Sequence, residues 1–432
     1  MTAVVTALGG VVRNKWIALH LGASGVGVLG QVVATQSWFG VAASLGLAVA
    51  VTRSVGAALG AGDLPRARRV VATALSLTGV ASLVAVAVAL IAAAPLSAAL
   101  LGDASYAPLL RLTALGVLGF AVQSVTNGLF AGRSDVRASF TLGVATSVTA
   151  VGATLLLVPR EGVAGGVIAF AVMYVAGVAV ALAVHRRDYA PFFAGARLTF
   201  DPAAIRALLG TGAAALALAL LDQGTMLAAR AHYLRAHGIA ANGLLQAALA
   251  LSQQAGAPFY VYYASYVLGK VSGLGGAPAV EAYTRRTWAP VILLAGFVCA
   301  VGIVAAGPLL GLLYADAFAP ARPLMAWTLA GEFARIATQA WIIAALPLAG
   351  ARAWLAIGIA NDVALAGAYV ALNAAGAGAT SLPLAYGIGA LVTLIVGAGI
   401  MARAGVRPRL RDAGLVFGVL AALVAVASWV AR

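Results

Sequence analysis

The chain has 432 residues, of which 63% are hydrophobic and only 9% charged, with a formal net charge of +15. Soluble domains carry about 25% charged residues, and a water-facing surface cannot be assembled from so few. That excludes a soluble enzyme or a nucleic-acid-binding domain and places the chain among membrane proteins.

A helix needs about 20 apolar residues to cross about 30 Å of hydrocarbon. Thirteen stretches reach that scale, and the ten-residue alternation of a strand barrel is missing. The first, 1–18, reads as a membrane helix rather than a cleaved leader and carries Arg13 and Lys15. The second, 28–53, holds Gln31 and Gln36 and ends at Arg53. The third and fourth cover 70–93 and 107–130, the latter with Gln123 and Asn127. The fifth and sixth cover 138–158 and 162–184. The basic segment 185–203, with Asp201-Pro202, reads as a cytoplasmic linker between two halves. The seventh stretch, 204–228, carries Asp222, with Arg230 just beyond. The eighth, 240–268, contains Gln246, Gln253, Gln254 and Pro258, then Tyr260, Tyr262, Tyr263 and Tyr266. The ninth, 288–313, holds the single cysteine, Cys299, so no disulfide or thiolate cluster is available. The tenth, 321–347, carries Glu332 and Arg335, and the eleventh, 351–373, carries Asp362. The twelfth and thirteenth are 382–402 and 413–430.

Basic residues set the orientation. With the N-terminus in the cytoplasm, 18 of the 27 Lys and Arg residues fall in cytoplasmic segments and 5 in the opposite loops. The expected location is a bacterial inner membrane, crossed many times. The chain also repeats itself. Pro95-Leu96, Leu100 and Asp103-Ala104 match Pro308-Leu309, Leu313 and Asp316-Ala317 at an offset of 213 positions. Lys15, Leu19, Leu29 and Gln31 match Arg230, Leu234, Leu244 and Gln246 at an offset of 215. The repeat equates stretches 1–6 with 7–12 as parallel halves, the layout of two-lobed transporters.

No Gly-rich phosphate loop and no Cys or His pair at metal spacing occurs, so no catalytic residue, cofactor or metal is expected and the chain reads as a non-enzyme. The informative residues are polar groups inside apolar helices, where a charge costs ~2.5–3.5 kcal/mol or more. Arg13, Lys15, Arg53, Asp222, Arg230, Glu332 and Arg335 are of this kind. Glu332 and Arg335 share a helix face and form either a neutral structural pair or a lining and coupling pair. Asp222 reads as a proton or cation site or as a counter-charge. Arg53 either marks the positive-inside boundary or meets phosphate. The amides of Gln31, Gln246, Gln253 and Gln254 suit either interhelical hydrogen bonds or the hydroxyls of a sugar. The tyrosines of the eighth stretch read as an interfacial aromatic belt.

Three segments carry a resemblance. KWIALHLGASGVGVLGQ (Lys15–Gln31) resembles the opening of Wzx-type O-antigen and polysaccharide-unit flippases, where a Lys precedes LG-x-x-G-x-G-x-x-GQ. AANGLLQAALALSQQ (Ala240–Gln254) resembles their eighth-helix segment. LLGLLYADAFAPARPLMAWTLAGEFAR (Leu309–Arg335) resembles their lysine-free loop and the G-D/E-x-x-K/R pattern after it. The resemblance extends in order over nearly the whole chain. It implies the multidrug/oligosaccharidyl-lipid/polysaccharide exporter superfamily, an all-α polytopic fold of two parallel six-helix lobes around a central cavity. The N-lobe would span 1–184, the linker 185–203, the C-lobe 204–402 and an extra C-terminal helix 403–432. The implied cargo is an undecaprenyl-pyrophosphate-linked oligosaccharide, moved from the cytoplasmic to the periplasmic leaflet. Arg13, Lys15, Arg53, Arg230 and Arg335 would then meet the pyrophosphate. Implied partners are the lipid-linked cargo, membrane lipid, and a polysaccharide polymerase with its chain-length partners. The competing expectation is an ion-coupled exporter of small cationic drugs on the same fold, which an acidic rather than basic interior would suit.

Overall fold

Inside hydrocarbon a backbone must satisfy its own N–H and C=O groups, and a run of apolar residues does so as a helix. The computed structural model, which describes residues 2–193, 198–407 and 410–431, is helical accordingly, with no strand among those residues. Its α-helices are α1 (Thr2–Ser44), α2 (Leu47–Gly60), α3 (Leu64–Ile91), α4 (Ala93–Leu101), α5 (Ala107–Leu112), α6 (Ala114–Gly132), α7 (Val136–Val184) and α8 (Arg186–Phe193). They continue with α9 (Pro202–His237), α10 (Ile239–Tyr262), α11 (Leu268–Ser272), α12 (Ala277–Val304), α13 (Ala306–Leu313), α14 (Arg322–Ala374), α15 (Ser381–Arg403) and α16 (Leu410–Val430).

Among the described residues nine helical spans are long and apolar enough to cross a membrane, so the chain is a multi-pass membrane protein. Three of the four fewer spans have local causes. The spans Leu8–Gly60 and Val136–Val184 each join two expected stretches. Each contains a glycine that breaks the helix near the expected boundary, Gly22 (φ 61°, ψ −174°) and Gly162 (φ 57°, ψ −130°), and the first span turns again at Leu45-Gly46. A positive φ turns the chain within one residue, which a side chain would resist. Gly350 breaks α14 in the same way. The eighth stretch is helical, but its three glutamines lower its hydropathy below that of a spanning segment.

The sequence repeat has a backbone counterpart. α3 ends at Ala92 (φ −88°, ψ 8°) and α12 ends at Ala305 (φ −86°, ψ 9°), 213 positions later. Each alanine leads into a short helix containing the matched proline, then a 3-10 turn at Asp103 or Asp316.

Two compact units emerge, Met1–Ala231 and His232–Arg432. In the first, α2, α3, α6 and α7 bury Leu47, Val55, Val71, Phe130 and Leu142. The helix α8 is strapped onto this core. Its Tyr189 and Phe192 are buried, and the Arg133 guanidinium lies 4.7 Å and 5.3 Å from their ring centres. Arg133 also donates to the Asp188 carbonyl at 2.7 Å, and the Tyr189 hydroxyl donates to Asp135 at 2.9 Å. Farther along the segment, the backbone N–H of Thr199 donates to Ser76 Oγ at 2.9 Å, and Asp201 lies 3.8 Å from Arg69. Within the same unit α9 runs against α1: Trp38 Nε1 donates to the Leu220 carbonyl at 3.1 Å.

In the second unit α14 packs on α10, α12, α15 and α16. Buried hydroxyls join the helices: Ser252 and Thr328 lie 2.7 Å apart, and Thr338 donates to the Ala390 carbonyl at 3.0 Å. The thirteenth expected stretch is α16, which rests on α12 and α14.

Candidate functional site

Glu332, fully buried on α14, is the centre of the most developed polar cluster in the second unit. Its Oε1 accepts from the Tyr260 hydroxyl at 2.5 Å, and its Oε2 accepts from the Tyr386 hydroxyl at 2.5 Å. The two tyrosines come from α10 and α15, so one carboxylate ties three helices together. The Arg335 guanidinium lies 4.8 Å from the centre of the Tyr386 ring. Glu332 and Arg335 thus meet across Tyr386, one as hydrogen-bond acceptor of its hydroxyl and the other over its face. The helix α10 approaches this closely because Gly256 has no side chain, and a Cβ there would collide with Glu332 Oε1. Pro258, two residues on, cannot donate an N–H, which leaves the preceding turn without one of its helix bonds.

This cluster corrects the reading of Tyr260 as part of an interfacial belt. Its hydroxyl is turned inward onto a carboxylate. The signal lay in the spacing of Gly256 and Tyr260, four residues apart on one helix face. Tyr386, in the twelfth stretch, had no sequence signal at all.

In the first unit the buried cation is Arg230, 5% exposed on α9. Among the described residues neither its Nε nor its Nη2 has a hydrogen-bond partner. One turn earlier, the Leu227 carbonyl accepts from Gln31 Nε2 at 3.2 Å. Gln31 and Arg230, placed at different ends of the first unit's sequence, therefore share one neighbourhood. The Gln31 amide acts there as an interhelical hydrogen-bond donor.

The remaining expected residues scatter. Arg13 stacks its guanidinium over Phe170, 4.5 Å from the ring centre. Lys15, Gln246 and Gln254 are half-buried, while Arg53, Asp222 and Gln253 are exposed. Among the described residues no three His, Cys, Asp or Glu side chains converge as metal ligands.

A family model described as MatE matches residues 5–156. No curated protein matches the chain in sequence. A solved structure of an inward-facing multidrug resistance MATE family transporter of the MOP superfamily aligns with TM-score 0.71 and 16% identity, over 95% of both chains. The lipid II flippase MurJ in an inward closed conformation aligns with TM-score 0.74 and 10% identity, over 100% of this chain and 96% of that one. A Vibrio cholerae MATE transporter, VcmN, aligns with TM-score 0.61 and 16% identity, over 96% and 98%. The chain has the MATE–MurJ fold. That fold accounts for the all-helical architecture expected from the sequence, and among the solved structures it is shared by a multidrug resistance MATE family transporter and a lipid II flippase.

Proposed function

We propose that the chain is a flippase for an undecaprenyl-pyrophosphate-linked oligosaccharide, working by alternating access in a bacterial inner membrane. The observation that carries this reading is Arg230. It lies seven residues from the end of α9, about 10 Å into the helix at 1.5 Å per residue. It is a buried guanidinium with two donor nitrogens unmatched among the described residues. A cation in that setting is costly unless an anion comes to it. Pyrophosphate supplies two charges and several acceptor oxygens, and guanidinium is the side chain best shaped to receive them. Gln31, held beside it, has an amide oxygen still open to a hydroxyl donor.

Glu332 is the proposed coupling group. Ionised, it accepts from two hydroxyls. Protonated, it keeps fewer acceptor sites and gains a donor, so one tyrosine loses its partner. Proton binding would thereby loosen either α10 or α15 from α14. The same carboxylate favours a second reading, an ion-coupled exporter of small molecules, which the fold also permits.

The deciding experiment deletes the gene in its own host and profiles lipid-linked intermediates. Accumulation of the undecaprenyl-pyrophosphate oligosaccharide, with loss of surface polysaccharide, supports the flippase. Complementation by the wild type but not by Arg230→Gln, at equal protein level, supports the anion role. Normal surface polysaccharide and no accumulated intermediate, with no paralogue present, rejects the flippase in favour of the exporter.

A further inference from the structure

Where α14, α15 and α16 meet, a groove of about 110 Å³ opens on the surface of the second unit. Its lining runs from Trp327 to Ala334 on α14 and from Pro383 to Leu391 on α15, with Leu420 and Val424 of α16 on the third side. Small residues make it. Gly331 and Gly387 let α14 and α15 touch backbone to backbone, and a Cβ on Gly331 would stand 3.0 Å from the Gly387 Cα. Beside that crossing Ala330 and Ala334 fill little of the gap to α16.

Packed interiors hold few voids larger than a water, and an apolar cavity of about 150 Å³ stays dry and takes up benzene. A groove on this scale therefore takes an occupant, and its lining decides the chemistry. Only Trp327 among the lining side chains carries a polar atom, so neither water nor an ion finds partners. The walls on α15 and α16 belong to spans long and apolar enough to cross a membrane, so hydrocarbon lies against the opening. Ile388 and Val424 form its exposed lip. From Pro383 to Leu391 the groove covers about 12 Å of α15 at 1.5 Å per residue, and Pro383 is close to the helix start at Ser381. It thus faces the chains of one leaflet, from just beneath the headgroups inward, since the hydrocarbon core is about 30 Å thick. At the same end α14 begins with an exposed Arg322, at the level of a headgroup phosphate.

We propose that the groove holds one acyl chain of a membrane phospholipid, retained as a fixed part of the second unit while the surrounding lipid exchanges. The prenyl tail of a lipid-linked cargo has similar chemistry. Phospholipid, however, is the solvent of the protein and outnumbers any cargo, so it fills the groove by mass action. Its phosphate also complements Arg322. The site is independent of what the protein transports. It does adjoin the Glu332 clasp: a Cβ on Gly331 would stand 2.9 Å from the Tyr386 ring, and the Tyr386 hydroxyl donates to Glu332 Oε2. A seated chain braces α14 against α15 beside that carboxylate.

The test titrates the full-length protein, in detergent micelles, with phosphatidylcholine brominated midway along its acyl chains. Bromine quenches tryptophan fluorescence on contact, and Trp327 lines the groove. Its signal is the difference between the wild type and Trp327→Phe. Trp429, 69% exposed on α16, reports bulk lipid through the difference from Trp429→Phe. Quenching of Trp327 should saturate at a single lipid per protein, whereas that of Trp429 should keep rising with added lipid. Ala330→Leu fills the groove from α14 and should abolish the saturable quenching while that of Trp429 persists. Val424→Phe fills it from α16 and gives the same reading if Ala330→Leu does not fold. Both variants should also lose the rise in unfolding midpoint that added phospholipid gives the wild type. Polyprenyl phosphate and unbrominated phosphatidylcholine are the competitors, and the phospholipid should displace the brominated lipid at the lower concentration. Displacement by polyprenyl phosphate at the lower concentration, quenching of Trp327 that never saturates, or saturable quenching unchanged in Ala330→Leu and Val424→Phe overturns the proposal.

Discussion

The Tyr260 hydroxyl donates to Glu332 Oε1 at 2.5 Å across 72 positions of sequence, and Tyr386 completes the grip from the other side. An intramolecular hydrogen bond contributes about 0.5–1.5 kcal/mol net. The pair therefore makes Glu332 a structural clasp between α10, α14 and α15.

Replacing Glu332 by Gln leaves one acceptor oxygen and turns an NH2 group toward the second tyrosine. One buried hydroxyl then loses its acceptor, at about 1–3 kcal/mol. A thermal unfolding midpoint lowered in Glu332→Gln, and lowered less in Tyr260→Phe, is the expected result. Equal midpoints for both variants and the wild type would show that the clasp contributes nothing to the fold.

Gly256 faces the same carboxylate, and a Cβ there would collide with Glu332 Oε1. Overpacking of this sort costs about 1–3 kcal/mol. Gly256→Ala should reduce both the unfolding midpoint and transport, whereas Ala255→Gly, one position away on the half-buried face, should lose only the ~1 kcal/mol of helix propensity. The two variants are compared in one thermal-shift series.

Gly46 combines two constraints within the first unit. It has φ 65°, and a Cβ would sit 2.6 Å from the Gly212 carbonyl oxygen on α9. The left-handed conformation costs an L-residue about 1–2 kcal/mol before any clash is counted. Gly46→Ala is expected to destabilise by more than that, seen as unfolding at lower denaturant concentration. A loss no greater than that of a helix-surface substitution would mean that α9 yields freely there.

Asp135 caps α7 and ties down α8. Partial burial raises its pKa, but the Ala138 N–H and the Tyr189 hydroxyl, with His185 and Arg133 nearby, outweigh that and hold the carboxyl below its usual 3.8. A depressed pKa contributes stability that is complete above the unfolded value and is lost as the pH falls through the folded one. Below pH 3.8 the strap should therefore loosen. Pepsin cleavage near Phe192-Phe193 should speed up with falling pH in the wild type and depend less on pH in Asp135→Asn. Identical pH profiles would remove Asp135 from the strap.

Much of the architecture was legible. The apolar stretches became helices because hydrocarbon leaves the backbone no other partner. The repeat at an offset of 213 reappears as matching angles at Ala92 and Ala305, because a local backbone turn depends on local residues. The glycine breaks at Gly22 and Gly162 were less legible, since a positive φ leaves no mark in hydropathy. Of the candidate residues, Glu332 and Arg230 stood out as charges in apolar surroundings, and both are buried. Asp222 stood out in the same way and is exposed.

By itself, then, the sequence determined the solvent of this protein, its helical class and the list of its costly charges, because each follows from residue chemistry within one helix length. Partnership is another matter. That Glu332 is held by Tyr260 and Tyr386, that Gln31 bonds to the turn before Arg230, and that Tyr263 keeps a buried hydroxyl unmatched among the described residues were decided only by tertiary structure. Hydrogen bonds form between atoms a few ångströms apart, and in a bundle those atoms come from helices whose separation along the chain carries no information about their separation in space.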